Sequence, residues 1–198
     1  VTLVSSAGTL TVGSITATGQ AVSLSTAGAL IDGDVQVDIT AQSLSITAAS
    51  VGTASDALDT DVASLSLSAS GAAYLKEASD LTVSSASTGG LNLIAGGDTA
   101  LQSLTTTAGA TVVQVAGKLS VVSSSTGALS LTAAGDTVLQ SLAATGDVSL
   151  VSSAGTLTVG SITAANKAVS LSTPGAVLDG DTAVDITAQS LSITAASV

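Results

Sequence analysis

The sequence predicts an all-β fold, a parallel β-helix in which the chain winds around one axis in coils of about 19 to 22 residues. Three observations predict it. Short strands are marked by alternating apolar and hydroxyl residues, turn residues separate them, and the same pattern returns at a nearly constant spacing. The chain also carries an internal duplication, because residues 148–198 repeat residues 1–51 at an offset of 147 with 9 substitutions in 51 positions.

The recurrent local unit is a triplet of an apolar residue, a small polar residue and a second apolar residue. Such period-two alternation places the outer two side chains on one face of a strand and the middle one on the other. We therefore expect the aliphatic residues to point inward and the small hydroxyls outward. Clear examples are Leu10-Thr11-Val12, Val22-Ser23-Leu24, Leu44-Ser45-Ile46, Leu65-Ser66-Leu67, Leu91-Asn92-Leu93, Leu129-Ser130-Leu131 and Val148-Ser149-Leu150.

The spacing of the triplets predicts the number of coils. Residues 81–106 match residues 119–144 at an offset of 38, which is two coils of 19. One inward column then predicts seven coils in 147 residues, with an ambiguous coil near Ala110 and an insertion around Tyr74. We interpret residues 1–198 as one continuous segment, with 1–147 as one long repeat and 148–198 as the start of the next. The predicted column is Leu65, Leu91, Leu129, Val148, Val169 and Leu191.

A sandwich of β-hairpins is the alternative all-β interpretation. Tight hairpins favour Asn-Gly or Asp-Gly turns, and sandwich cores favour aromatic residues. The chain has such a dipeptide only at Asp32-Gly33 and Asp179-Gly180, and its one aromatic residue is Tyr74. The composition therefore favours the β-helix, with a narrow core of Leu, Val, Ile and Ala.

Composition and charge exclude several classes of partner. The net charge is -11, with 3 lysines and no arginine, so we expect no binding to nucleic acid. No run of about 20 apolar residues is present, so we expect no membrane insertion. The chain has no cysteine or histidine, which excludes disulfides, the usual catalytic triads and the usual zinc sites.

Carboxylates are the only candidates for chemistry. They are paired at Asp32/Asp34 and Asp179/Asp181, and they cluster at Asp56, Asp59 and Asp61. Two carboxylates can act as acid and base, but no neighbouring residue is suited to orient a substrate, so we expect no catalytic residue and no cofactor.

Calcium is the sharper hypothesis for the paired aspartates, because a hard cation prefers several oxygen ligands. The glycine-rich nonapeptide of calcium-binding β-rolls is absent, and we favour exposed turn residues without a metal at Asp32/Asp34 and Asp179/Asp181. Tyr74, Lys76 and Glu77 are interpreted as a loop that packs on the coils, with a contact site as the alternative.

The stretch GALSLTAAGDTVLQSLAATGDVSLVSSAGTLTVGS, residues 127–161, resembles the 19- to 21-residue repeats of the filamentous haemagglutinin family of giant bacterial exoproteins. Residues 37–83 resemble a motif of very large bacterial surface proteins. The resemblance implies a right-handed β-helical shaft that is secreted or anchored at the surface. It covers no secretion domain or binding module, so neither an export route nor adhesive activity is carried over.

These observations favour a structural role over binding or catalysis. We expect a shaft of a very long bacterial extracellular fibre or surface adhesin, without an active site, whose partners are further repeats or neighbouring copies. The first alternative is a β-helix module that binds carbohydrate or cells, and the second is an enzyme acting on polysaccharide.

Overall fold

The computed structural model describes every residue from Val1 to Val198 and confirms the predicted fold class. The chain is an all-β solenoid of parallel strands with about ten turns and no helix. No helix is therefore available that is long and apolar enough to cross a membrane. The strands are β1 (Thr2–Ser5), β2 (Leu10–Val12), β3 (Ile15–Thr26), β4 (Ala29–Asp32), β5 (Ile39–Ala48), β6 (Ser50–Val51), β7 (Leu58–Ala69), β8 (Ala72–Glu77), β9 (Leu81–Thr88), β10 (Gly90–Ala95), β11 (Thr99–Leu101), β12 (Leu104–Thr106), β13 (Thr111–Val115), β14 (Leu119–Val121), β15 (Ser124–Thr126), β16 (Leu129–Ala133), β17 (Thr137–Ala144), β18 (Val148–Ser152), β19 (Leu157–Ser172), β20 (Val177–Asp179) and β21 (Ile186–Thr194).

Each strand pairs in parallel with the strand one turn before it and the strand one turn after it. We follow the stack along two columns of paired inward positions, which we call ladder one and ladder two. Successive members of ladder one lie 18 to 22 residues apart, close to the predicted coil length. Ladder one is Leu10, Leu30, Val51, Ala73, Leu91, Thr111, Leu129, Val148, Val169 and Leu191. Ladder two is Val22, Leu44, Leu65, Val83, Leu101, Val121, Leu139, Val159 and Asp179.

The core is one cluster of 44 buried apolar residues that extends from Val12 to Val177. It consists of Leu, Val, Ile and Ala, as the composition predicts, because parallel turns leave too narrow an interior for aromatic rings. The expectation that hydroxyls point outward is wrong at several positions. Thr99, Thr111 and Thr137 are buried where neighbouring turns carry leucine or valine, since the threonine methyl group packs in the same column.

The predicted column of six residues is correct from Leu91 to Leu191 and wrong at Leu65. Leu65 pairs with Leu44 and Val83 in ladder two, not with Leu91 in ladder one. The ambiguous coil near Ala110 is a regular turn, because Thr111 pairs with both Leu91 and Leu129.

The two copies lie on different faces of the solenoid. Val22 belongs to ladder two, whereas its copy Val169 belongs to ladder one. Seven turns along ladder two lead from Val22 to Val159, and Val169 is 10 of the 20 residues on the way to Asp179. The 147-residue unit therefore contains about half a turn more than the predicted seven coils.

The faces exchange where β7 pairs with β9. The register shifts between Leu65, which pairs with Val83, and Ser66, which pairs with Ser85. Ser84 is the extra residue, and its hydroxyl donates a hydrogen bond to the Leu65 carbonyl at 2.9 Å. Such a bulge bends the bulged strand, so a straight run of inward residues becomes two short runs separated by a corner.

The predicted insertion around Tyr74 is also wrong. Residues 72–77 form β8, which pairs residue for residue with β10. The irregular segment lies earlier, between β6 and β7, where Thr53 and Asp56 form a tight turn. Glycine and aspartate in this stretch are compatible with either position of the turn, so the sequence did not distinguish them.

Candidate functional site

Two loops each bring three aspartate side chains together. The first joins β4 to β5 and contains Asp32, Asp34 and Asp38. One oxygen from each carboxylate lies within 4.8 Å of the other two. We call this loop the first acidic loop, and its copy with Asp179, Asp181 and Asp185 the second acidic loop. No other part of the chain gathers three carboxylates in this way.

Backbone hydrogen bonds hold the first acidic loop in shape. The Asp34 N–H donates to Asp32 Oδ1 at 2.7 Å, and the Gln36 N–H donates to Asp34 Oδ1 at 2.7 Å. Both are aspartate turns, in which a side chain accepts a hydrogen bond from the backbone two residues on. The Asp59 N–H, one turn further along the solenoid, donates to Asp38 Oδ2 at 3.1 Å. One oxygen of each carboxylate is therefore fixed by the backbone.

Gly33 brings the loop close to the preceding turn. Its N–H donates to the Val12 carbonyl at 2.7 Å. A Cβ at this position would lie 2.8 Å from the same carbonyl oxygen, so a larger residue would push the loop away. The order Asp-Gly-Asp therefore places two carboxylates beside the stack with the smallest residue between them.

Two of the three carboxylates in the first acidic loop are buried. Asp38 is 0% exposed and Asp32 is 7% exposed, while Asp34 is exposed. Burial raises the pKa of Asp38 to about 7 against the opposing hydrogen bond from Asp59, and the neighbouring charges of Asp32 and Asp34 raise it further. Asp32 Oδ2 and Asp38 Oδ1 are buried without a hydrogen-bond partner. Such orphaned oxygens are costly, and they are the least satisfied polar atoms of the loop.

The second acidic loop repeats the same turns with less burial. The Asp181 N–H donates to Asp179 Oδ1 at 2.8 Å, and the Ala183 N–H donates to Asp181 Oδ1 at 2.6 Å. Asp179 and Asp181 are exposed, and Asp185 is half-buried with its Oδ1 unpartnered. Partial burial and the charges of the other two aspartates raise the pKa of Asp185.

The sequence analysis identified the pairs Asp32/Asp34 and Asp179/Asp181 but missed the third member of each loop. Asp38 and Asp185 occupy equivalent positions in the motif Asp-Gly-Asp-x-x-Val-Asp, and this repeated spacing is the signal that identifies them. The interpretation as exposed turn residues is correct for Asp34, Asp179 and Asp181. It is wrong for Asp32, which the stacked turns bury.

The other aspartates named from the sequence do not form a site. Asp59 makes an ion pair with Lys76 at 2.9 Å, and Asp61 Oδ1 accepts a hydrogen bond from the Ser79 hydroxyl at 2.8 Å. Asp56 closes the tight turn with Thr53 through backbone hydrogen bonds. These three residues therefore have separate structural partners.

Several turn aspartates connect one turn of the solenoid to the next. Their carboxylates accept backbone N–H groups one turn further on. The acceptor and donor residues, with distances, are Asp80 and Asp98 (2.7 Å), Asp98 and Lys118 (2.8 Å), Asp136 and Thr156 (2.9 Å), and Asp147 and Ala168 (3.0 Å). The Thr156 N–H and hydroxyl hold the pKa of Asp136 below its ordinary value, and Lys118 contributes.

A shallow groove of about 520 Å³ lies along these aspartates and is lined by Asp80, Asp98, Lys118 and Asp136. The Lys118 ammonium lies 3.8 Å from a carboxylate oxygen of Asp136. The groove is charged, yet one oxygen of each aspartate is already bonded to the backbone of the next turn. This arrangement serves the stacking of turns.

Glu77 is a buried carboxylate inside the solenoid. It accepts hydrogen bonds from the Thr60 hydroxyl at 2.7 Å, the Val62 N–H at 3.0 Å and the Ser79 N–H at 3.2 Å. Burial raises its pKa, and these donors oppose the rise. Glu77 thus joins β7, β8 and the turn that follows β8.

Tyr74 and Lys76 lie in β8 and not in a loop. Tyr74 is half-buried on the outer face beside Asn92 of the next turn. Lys76 is exposed and paired with Asp59. The prediction of a loop packed on the coils is wrong for this stretch, because its alternating residues continue the strand.

Comparison with known proteins adds no name to this geometry: no family model, no curated protein and no solved structure matches the chain.

Proposed function

We propose that this chain is part of the structural shaft of a very long bacterial extracellular fibre or surface adhesin. The observation that carries the proposal is the continuous stack of about ten parallel turns around one aliphatic core. Each turn gains its stability from its two neighbours, which is the physical basis of a rod whose length follows the number of repeats.

The register of the two copies supports the proposal. Ile15 pairs with Ile39, and the copy Ile162 pairs with Ile186. Both pairings contain the same irregularity, between Ala17 and Ala21 in the first copy and between Ala164 and Ala168 in the second. The unit therefore keeps its own turn-to-turn pairing although the second copy is rotated about the axis.

The inter-turn aspartates also support a mechanical role. Asp80, Asp98, Asp136 and Asp147 each bind the backbone of the following turn, in addition to the strand ladders. Their carboxylates are used to hold neighbouring turns together at the corners, where the strands have ended.

Extension of the chain tests the proposal. Residues 148–198 nearly repeat residues 1–51, so appending a second copy of residues 52–198 after Val198 adds one complete unit in register. With about 4.8 Å per turn, the parent rod is about 48 Å long, and the extended rod should be about 36 Å longer at unchanged width. Small-angle scattering and electron microscopy of both proteins measure this difference.

Two results would contradict the proposal. One is an extended protein that appears as two separate bodies or widens without lengthening. The other is saturable binding of a defined glycan by the parent chain, which would favour the carbohydrate-binding alternative. A rod that lengthens at constant width and binds no glycan is the expected result.

A further inference from the structure

The first acidic loop concentrates negative charge where little compensates it. Asp32 and Asp38 are both more than nine-tenths buried, and one oxygen of each has no hydrogen-bond partner. The third carboxylate, Asp34, completes a set of oxygens within 4.8 Å of one another. Like charges at such distances in a buried setting are unfavourable unless a cation or a proton balances them.

The chain offers no cationic side chain for this purpose. It has no arginine and 3 lysines. Lys76 is paired with Asp59, and Lys118 is paired with Asp136. Lys167 forms no ion pair with the loop. The balancing charge must therefore come from solution.

The hydrogen bonds leave the loop arranged for a cation. Asp32 and Asp34 each use Oδ1 to accept a backbone N–H, and Asp38 uses Oδ2. Each carboxylate is thus held in position by one oxygen while the other stays free. This is the pre-organisation that a metal site needs, because the ligands are not free to turn away from one another.

We propose that the first acidic loop is a calcium-binding site, with Asp32 Oδ2, Asp38 Oδ1 and the free oxygen of Asp34 as protein ligands. Calcium binds oxygen ligands at about 2.3 to 2.6 Å, so two ligands on opposite sides of the ion are at most about 5 Å apart. The observed separation of up to 4.8 Å fits this size. Water supplies the remaining ligands, and the free oxygen ligands suit calcium better than zinc, which prefers nitrogen and sulfur.

The second acidic loop is the same site in a more exposed setting. Asp179, Asp181 and Asp185 also lie within 4.8 Å of one another and make the same aspartate turns. Asp185 Oδ1 is likewise unpartnered. Since two of its carboxylates are exposed to water, its attraction for a cation is more strongly screened, and we expect weaker binding there.

Bound calcium would fix the loop against the shaft. The loop projects from the stack, and Val35 at its tip is 82% exposed. Asp38 is bonded to Asp59 in the next turn, so one ion would connect the loop to two successive turns. This inference does not depend on the proposed function, because the site stands on local geometry alone.

Calcium titration of the full chain by calorimetry and thermal unfolding tests the proposal. We expect two sites of unequal affinity in the parent, with dissociation constants up to about 1 mM, and a melting temperature that rises with calcium. Asp38→Asn should weaken the tighter site at least tenfold, Asp185→Asn should remove the weaker one, and the double variant should bind at neither loop.

Matched controls separate a site from general negative charge. Asp56→Asn removes one charge in an exposed turn outside the loops and should leave both sites intact. The Asp38→Asn variant without calcium should melt at or above the parent, because the substitution removes a buried like charge, so a loss of binding is distinguishable from a failure to fold.

The proposal is overturned by any of three results. They are no calcium heat together with no melting shift beyond that in sodium chloride of equal ionic strength, a calcium response that survives in the double variant, and a loss of response in Asp56→Asn. The first of these would indicate that Asp32 and Asp38 share a proton instead.

Discussion

Residues 1–51 and 148–198 show how much of this architecture is carried by the repeated sequence itself. The two copies have the same internal register, since Val22 pairs with Leu44 and Val169 pairs with Leu191. They nevertheless occupy different faces, because Val22 lies in ladder two and Val169 in ladder one. The sequence of a copy therefore determines how it pairs with the next turn, but not which side of the shaft it occupies.

The exchange of faces originates between the copies. At Ser84 one extra residue bends β9 between Val83 and Ala86, where β7 runs straight through Leu65 and Leu67. Subsequent turns keep the three-residue spacing, as Leu101 and Leu104 show. A local bulge is thus propagated by stacking, and the second copy meets a stack whose corners have moved.

The largest expected effect tests whether the two faces are equally well packed. Leu24 and Leu171 are equivalent residues, exposed by 2% and 1%. Truncation of either to alanine should destabilise by about 2 to 5 kcal/mol, because each leaves a cavity in the aliphatic core. Urea denaturation measures the loss, and hydrogen exchange of β3 and β19 locates it.

Equal losses for Leu24→Ala and Leu171→Ala would confirm that either face accepts the same side chain. A loss at only one position would show that the copies are not equivalent in the core. Leu191→Ala is the control, because this copy of the buried Leu44 is 48% exposed and should cost much less.

A smaller effect separates the copies at one glycine. A Cβ on Gly160 would lie 2.6 Å from the Gln140 carbonyl oxygen of the preceding turn, whereas a Cβ on the equivalent Gly13 would have only Asp34 Oδ2 nearby, at 3.5 Å. Gly160→Ala should therefore destabilise by about 1 to 3 kcal/mol, while Gly13→Ala should be neutral or slightly stabilising. Thermal unfolding of both variants distinguishes these outcomes, and equal effects would contradict the stacking described here.

A third comparison concerns a corner that both copies share. The Thr26 hydroxyl donates to the Gly8 carbonyl at 2.6 Å and accepts the Gly28 N–H at 3.1 Å. Thr173 makes the same two bonds with Gly155 and Gly175. Thr26→Val and Thr173→Val should each cost about 1 kcal/mol, because valine keeps the packing and removes both bonds. Urea denaturation would reveal any inequality, which would mean that the corners differ in solution.

The smallest effect is expected from Glu77, which lies in the region between the copies and has no counterpart in either. Its pKa is raised above the ordinary 4.5 by burial, so the folded chain binds this proton more tightly than the unfolded chain does. The contribution of Glu77 to stability therefore rises as the pH falls through the raised pKa towards 4.5, and declines as the pH rises.

Comparison with Glu77→Gln isolates this contribution from those of other carboxylates, such as Asp136, whose lowered pKa acts in the opposite direction. The difference in melting temperature between parent and variant should change with pH over that window in favour of the parent at lower pH. A difference that is independent of pH would show that Glu77 does not titrate there.

The fold class was predictable because its determinants are local. Alternation in triplets such as Leu129-Ser130-Leu131 marks strands, and the Gly and Asp clusters mark corners. The assignment of faces was not predictable, because Leu, Val and Ile fit every inward position. Only the spacing of two residues from Leu65 to Leu67, against three from Val83 to Ala86, signals the bend, and it has meaning only once the two turns are stacked.

The acidic loops were predictable in part for the same reason. Asp32 and Asp34 flank a glycine and are recognisable as turn residues. Asp38 precedes a strand, and its burial depends on Asp59 in the following turn, which is 21 residues away. Its proximity to the other two carboxylates follows from the loop folding back on itself, which single-residue preferences do not indicate.

The fractional number of turns per unit has a geometric consequence for any longer molecule built from such units. Features that recur every 147 residues, including the projecting tips at Val35, would point to alternating sides along the rod, as leaves alternate on a stem. Neighbouring rods lying side by side would then meet equivalent surfaces only at every second unit.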